Sequence, residues 1–307
     1  LPGASENIFS YVFFDGTEAA DYVVSTAFGM LTVVNRSEGD LYEIAVGTPD
    51  AEYLYDGTAH STGGLFIIGS DGESEAQDGP AEFVIEGNTY TLSGMQAYTE
   101  AVNAGVYPVN ITGTALITDS EGNDVSAQFA VHTAPGRLVI NRRQIVLTSE
   151  SAEHPYTGRQ VTGDDVTIGG DGFAEGEGAD FEVTGTRTIV GTGENDFTYR
   201  LKDGTNADNY DITTVFGTLT VTNRDAKYTV ALTANSGEFM YDGTEKRISG
   251  FRSSRFTLDG AEYTVTGLEA EARGTLPGEY DVRISGQPVV SDSEGNDVTA
   301  QFAVTVN

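Results

Sequence analysis

Apolar and polar residues alternate with a period of two along much of this chain. Tyr107-Pro-Val109-Asn-Ile111-Thr reads this way, as do Tyr280-Asp-Val282-Arg-Ile284-Ser and Leu219-Thr-Val221-Thr. That period puts successive side chains on opposite faces of an extended strand. Aspartate–glycine and glycine–asparagine pairs punctuate these runs and supply the turns between them. No stretch carries a sustained 3.6-residue apolar period with caps. Residues 96–103 (Gln-Ala-Tyr-Thr-Glu-Ala-Val-Asn) alone suit a short helix. Strands of about five or six residues at roughly 8–12-residue spacing predict an all-β chain. The modules are expected to be small β-sandwiches (immunoglobulin-like) or β-grasp-like units in an elongated array.

Internal repeats organise the pattern. Residues 7–36 align without a gap to 195–224, with 16 of 30 positions identical. Residues 83–131 align to 256–304, with 23 of 49 identical, and the best block is Asp119 to Val131 against Asp292 to Val304. An apolar strand followed by Asn-Arg recurs as LTVVNR (31–36), LVINR (138–142) and LTVTNR (219–224). These terminators divide the chain into a partial repeat over 1–36, a module over 37–142 with an insertion near 64–80, a module over 143–224, and a module over 225–307 that lacks its last strand.

Three landmarks recur inside the modules. A Tyr-x-Gly turn stands at Tyr55-Asp56-Gly57, Tyr156-Thr157-Gly158 and Tyr241-Asp242-Gly243. An apolar-Ser/Thr-Gly step follows at Leu92-Ser93-Gly94, Val183-Thr184-Gly185 and Val265-Thr266-Gly267. Gly-x-Tyr then opens a strand at Gly105-Val106-Tyr107 and Gly278-Glu279-Tyr280. With Asp208-Asn209-Tyr210 and Gly217-Thr218-Leu219-Thr220-Val221, this order resembles the MBG or YDG-type repeats of bacterial surface proteins. The second module departs from it: Thr157 replaces the turn aspartate, and Asn195-Asp196-Phe197-Thr198-Tyr199 stands where the others carry Gly-x-Tyr. The resemblance implies tandem modules of large wall-anchored or secreted adhesin-like proteins of Gram-positive bacteria, with no enzyme activity and no fixed cofactor.

Charge and composition narrow the function classes. Lys plus Arg is 16 against 47 Asp plus Glu, a formal charge of −31. A polyanion of this kind repels phosphate backbones, so no nucleic acid is expected as a partner. No apolar run approaches the length of a membrane-spanning helix. With no cysteine there is no disulfide, thiolate nucleophile or cysteine-ligated zinc. The first residues, Leu1-Pro-Gly-Ala-Ser-Glu6, have neither the basic nor the apolar segment of a signal peptide. Both ends read as cut from something longer.

Candidate chemistry is sparse. Asp119-Ser-Glu-Gly-Asn-Asp124 and its copy Asp292 to Asp297 resemble short calcium loops, with oxygen side chains alternating around a glycine. The closing glutamate is absent, because Ala130 and Ala303 stand at the twelfth position. The expected role is therefore a hairpin turn with aspartate caps and no metal. Gly169-Gly-Asp-Gly-Phe-Ala174 reads as an acidic glycine loop. His60 aligns with Lys246 and His132 with Thr305, while His154 is the third histidine. That variability argues against a shared catalytic base. Lys202 aligns with Phe14, which argues against a common Lys–Asn crosslink.

No catalytic, cofactor or metal residue is assigned, and the chain is expected not to be an enzyme. The expected function is an extracellular adhesin stalk or spacer on a bacterial surface or cell wall. Its partners would be a host or matrix protein or glycan, together with neighbouring repeats of the same chain. The alternative is a carbohydrate-binding region, with Tyr53, Tyr98 and Phe66 as the ligand-side aromatics. Residues 1–36 have two possible fates. Either Phe28, Leu31 and Val33 pack against residues after Ser37, or the strand pairs with a neighbouring molecule by strand addition.

Overall fold

A computed structural model of the chain describes residues 1–68 and 75–307. Residues 69–74, part of the insertion expected near 64–80, lie outside the described residues. The described chain is nearly all β. It contains no α-helix, only single 3-10 turns such as Ser126–Gln128 and Thr299–Gln301. It divides into two units, Leu1–Arg143 and Gln144–Asn307.

In the first unit the strand Tyr42–Gly47 runs parallel to Phe129–Ala134 and antiparallel to Phe66–Ile68. The next strand, Ala51–Leu54, runs parallel to Arg137–Asn141, which also pairs antiparallel with Gly105–Pro108. A separate sheet centres on the long strand Asn88–Ala101, bonded to His60–Gly63, Ala81–Ile85 and Asn110–Asp119. Ile44, Val46 and Phe129 from one set of strands meet Phe83, Leu92 and Ile117 from the other in one core. The alternation read from sequence produces this: in Ala81–Ile85 every second side chain is buried. The short helix expected over 96–103 does not form. Gln96 to Ala101 continue the long strand, because its neighbours His60–Gly63 and Asn110–Gly113 supply ladder partners on both sides.

In the second unit, Ala152–Pro155, Gly217–Thr222 and Gly191–Asn195 form one sheet, with Gly217–Thr222 in the middle. This copies the Ala51–Leu54, Arg137–Asn141 and Gly105–Pro108 arrangement of the first unit. Beyond it, Tyr228–Leu232 pairs parallel with Phe302–Val306. Ala261–Gly274 then repeats the long central strand, with Lys246–Ser249, Arg255–Leu258 and Arg283–Asp292 beside it. One core joins both parts of this unit, running from Tyr156, Leu219 and Val221 to Val230, Tyr263, Val290 and Phe302.

The Ser-Gly and Thr-Gly landmarks mark irregularities in the long strands. Register shifts fall between Gly113 and Leu116 and between Thr266 and Leu268. Gly113 has φ +96° and a Cβ there would lie 2.1 Å from the Gly94 carbonyl oxygen; Gly286, at φ +92°, would meet the Gly267 oxygen at 2.0 Å. Only glycine fits such a crossing of two backbones.

The first 36 residues correct an expectation. Gly3–Asn7 and Gly29–Val33 form a two-stranded ladder in the register of Gly191–Asn195 on Gly217–Val221. Yet Phe28, Leu31 and Val33 are exposed, not packed against residues after Ser37: Leu31 is 62% exposed, while its counterpart Leu219 is fully buried. The physical difference is the partner. Among the described residues Gly217–Thr222 has a strand on each edge, whereas Gly29–Val33 has Gly3–Asn7 alone.

Candidate functional site

The sequence's terminator builds a joint that occurs twice. In the second unit the Arg224 backbone N–H donates to Gln301 Oε1 at 3.0 Å, and Gln301 Nε2 donates to Asn223 Oδ1 at 2.5 Å. The Arg224 guanidinium lies 4.0 Å above the Tyr228 ring. In the first unit the Arg36 N–H donates to Gln128 Oε1 at 2.9 Å and Gln128 Nε2 donates to Asn35 Oδ1 at 2.7 Å. Arg36 lies 4.1 Å above Tyr42. In each case the end of one strand is tied to the 3-10 turn that starts a strand some eighty to ninety residues on. Stacking of arginine on an aromatic face adds to each joint. Gln128 and Gln301 were visible as part of the repeated block, but nothing in the sequence assigned them a role. Tyr42 and Tyr228 escaped because they follow the arginine at different spacings.

The Tyr-x-Gly landmark meets the same strand end. The Arg224 Nη1 donates to the Tyr156 carbonyl at 3.1 Å, and the Tyr156 N–H donates to the Thr222 carbonyl at 2.9 Å. Tyr156 is fully buried, and its hydroxyl donates to that of Tyr263 at 3.3 Å. Burial pushes the Tyr156 hydroxyl well above the ordinary tyrosine range. In the first unit the clamp on the Tyr55 carbonyl is Arg143, at 3.0 Å, while the Tyr55 N–H donates to Asn141. Asn141 therefore matches Thr222, and Arg143 matches Arg224. The structural equivalence lies one residue beyond the LVINR motif, whose Asn-Arg pair is displaced relative to LTVTNR. The third tyrosine of the set, Tyr241, is 64% exposed.

The two acidic turns share one conformation. Asp119 Oδ1 accepts from the Glu121 and Asn123 N–H groups at 3.0 and 2.9 Å; Asp292 Oδ1 accepts from Glu294 and Asn296 at 3.0 and 2.8 Å. Gly122 and Gly295 take φ +83° and +85°. Asp124 Oδ1 accepts from the Ser126 N–H and hydroxyl, and Asp297 from those of Thr299. These hydroxyl oxygens then accept from the Ile117 and Val290 N–H groups. The hydroxyl and backbone donors hold the Asp124 and Asp297 carboxyls below their ordinary range, and the Asn123 side chain does the same for Asp119. The acids are spent on their own loops. Among the described residues no group of three or more His, Asp or Glu is arranged to hold a metal ion.

The remaining candidates stand apart. Tyr53, Phe66 and Tyr98 belong to three different sheets. Tyr53 stacks on His60 at 4.2 Å, and the Phe66 ring lies over Gly47. Tyr98 is 60% exposed on the rim of a groove with Leu65, Gln77 and Met95. His60 and Lys246 prove equivalent in place: each sits within 3.0 Å of the turn aspartate four residues before it, Asp56 and Asp242. Their interchange in the alignment reflects two cation-capable groups facing one carboxylate. His132 meets Glu43 at 2.7 Å and His154 is exposed. Lys202 is half-exposed, 3.9 Å from Asp180. The glycine loop at 169–174 packs through Phe173 on Tyr210. The chain matches no family model and no curated protein.

Proposed function

We propose that this chain is a non-enzymatic tandem-repeat region of a bacterial cell-surface protein of the MBG/YDG type. Its modules are small immunoglobulin-like β-sandwiches set in an elongated array that acts as stalk, spacer or adhesion surface. The observation that carries this reading is the joint itself: the same Asn, Arg, Gln and Tyr tie one strand's end to the next set of strands in both units. Repeated residues here serve packing and connection, which is the economy of an array whose stability is a sum of modules and nearest-neighbour contacts. A charge of −31 keeps such an array soluble and holds it away from an anionic wall. Partners are a host or matrix protein or glycan.

The test is protease treatment of intact cells of the source bacterium, with released peptides identified by mass spectrometry. Peptides of this chain released from intact cells are expected. Their recovery only after lysis would overturn the surface assignment.

A second reading, carbohydrate binding, draws on the exposed Tyr98 ring, since sugars stack on aromatic faces. A glycan array with the intact chain and a Tyr98→Ala variant separates the two. Binding lost in the variant would favour it.

A further inference from the structure

The sheet around Asn88–Ala101 and its copy around Ala261–Gly274 share a core. Phe83, Leu92, Ile117 and Phe129 match Phe256, Val265, Val290 and Phe302. Their outer faces differ. Alternation turns Gln96 and Tyr98 away from the core, and Thr112 and Asn110 stand opposite them on the neighbouring strand. All four are exposed. In the second unit the same register places Glu269 opposite Ser285 and Glu271 opposite Arg283. There Arg247 and Arg273 both pair with Glu271, so charged groups cover the sheet. A module of this kind therefore folds without an aromatic ring or amides on this face.

The insertion meets the same face. In the second unit only residues 250–254 join Lys246–Ser249 to Arg255–Leu258, whereas the first unit carries the insertion between His60–Gly63 and Ala81–Ile85. Among its described residues, Leu65 and Gln77 exchange backbone hydrogen bonds at 2.9 and 3.0 Å. Leu65 is 2% exposed and anchors this pair in the core. Gln77 and Asp78 thus stand beside the sheet and, with Gln96, Tyr98, Asn110 and Thr112, bound a groove of about 520 Å³. Small-ligand sites span roughly 300–1,000 Å³.

The lining suits a sugar. Tyr98 is 60% exposed, and its hydroxyl donates to Glu100 Oε2 at 2.5 Å, which ties down one end of the ring. Gly63, opposite Tyr98 on the other neighbouring strand, has no side chain to cover that ring. Among the described residues no side-chain hydrogen bond engages the Gln96 and Asn110 amides, which leaves both their donors and their acceptors to a ligand. A sugar uses both kinds of surface: its C–H face packs on an aromatic plane, and its hydroxyls donate and accept. Among the described residues that line the groove there is no Lys, Arg or His, and Asp78 is the one charged side chain. An acidic sugar would meet like charge there with no counter-charge.

We infer that this groove binds an uncharged saccharide chain, one ring stacked on Tyr98 and its polar groups held by Gln96, Asn110 and Thr112. The inference rests on the carbohydrate-binding reading and adds the partners of Tyr98 and the ligand class.

The test is a glycan array carrying neutral gluco-, manno- and galacto-oligosaccharides, their N-acetylated forms, and sialylated, uronate and sulfated ones. It is run with the intact chain and followed by titration calorimetry on the strongest neutral hit. Binding to neutral members is expected. Tyr98→Ser and Asn110→Arg alter exposed residues, and the second installs what the second unit carries at that place. Each should weaken binding at least about tenfold with the melting temperature unchanged. Tyr98→Phe, which keeps the ring, should retain it. Neutral-glycan binding untouched by Tyr98→Ser and Asn110→Arg overturns this site and leaves the carbohydrate reading standing, since the sugar then sits elsewhere. A preference for acidic glycans overturns the ligand class. A chain that binds no glycan overturns the site and that reading together.

Discussion

Gln301 holds the end of the preceding strand through Asn223, its amide nitrogen donating to the asparagine oxygen at 2.5 Å while its own oxygen accepts the Arg224 N–H. Gln301 is 2% exposed, and its truncation leaves the part-buried Arg224 N–H and Asn223 oxygen without this partner. Gln301→Ala is expected to destabilise the chain by about 1–3 kcal/mol. Gln128→Ala, at the more open joint, should cost less. Urea denaturation of both variants checks the order.

Gly286→Ala is expected to be more damaging than Gly295→Ala. Both glycines have positive φ, but a Cβ at 286 meets a carbonyl oxygen at 2.0 Å whereas nothing lies within 4 Å at 295. The first should exceed about 1 kcal/mol, combining backbone strain with a clash. Thermal melts compare them.

Acid should selectively erase the contribution of the Asp124 and Asp297 caps. Their carboxyls titrate below the ordinary value because the Ser126 and Thr299 groups donate to the charged form. A carboxyl depressed in the folded state stabilises fully above its unfolded pKa, near 3.9, and loses that contribution as pH falls through the folded value. The Tm gap between the unsubstituted chain and Asp297→Ala should be full at about pH 5–7 and close below about pH 4. A gap that widens in acid would contradict this.

Calcium at about 1–5 mM should leave the Tm unchanged, because a ligand raises Tm only by binding the native state. The Asp119 and Asp292 oxygens already accept from their own loops. A clear rise with calcium would show that the turns open to a cation.

Much of the fold was legible because strand alternation and turn chemistry are local. The acidic turns could be read as hairpin turns capped by aspartate for that reason. What failed was non-local. Gln96 to Ala101 carry helix-compatible residues, and only the strands beside them make them extended. Asn141 and Asn223 look equivalent in sequence, yet the ladder pairs Asn141 with Leu54 and Thr222 with Pro155, which shifts the clamp to Arg143. Leu31 has the pattern of a core residue, but among the described residues its strand pairs with Gly3–Asn7 alone. The joint was half visible: Asn-Arg and Gln each recurred, but their contact spans 78 residues.

The central claim is that this joint fixes one set of strands on the next. The absence of cysteine allows two spin labels to be placed cleanly at the exposed Thr192→Cys and Glu294→Cys. Double electron–electron resonance should give one narrow distance peak that broadens when Gln301→Ala is added. A broad distribution with Gln301 intact would contradict the claim.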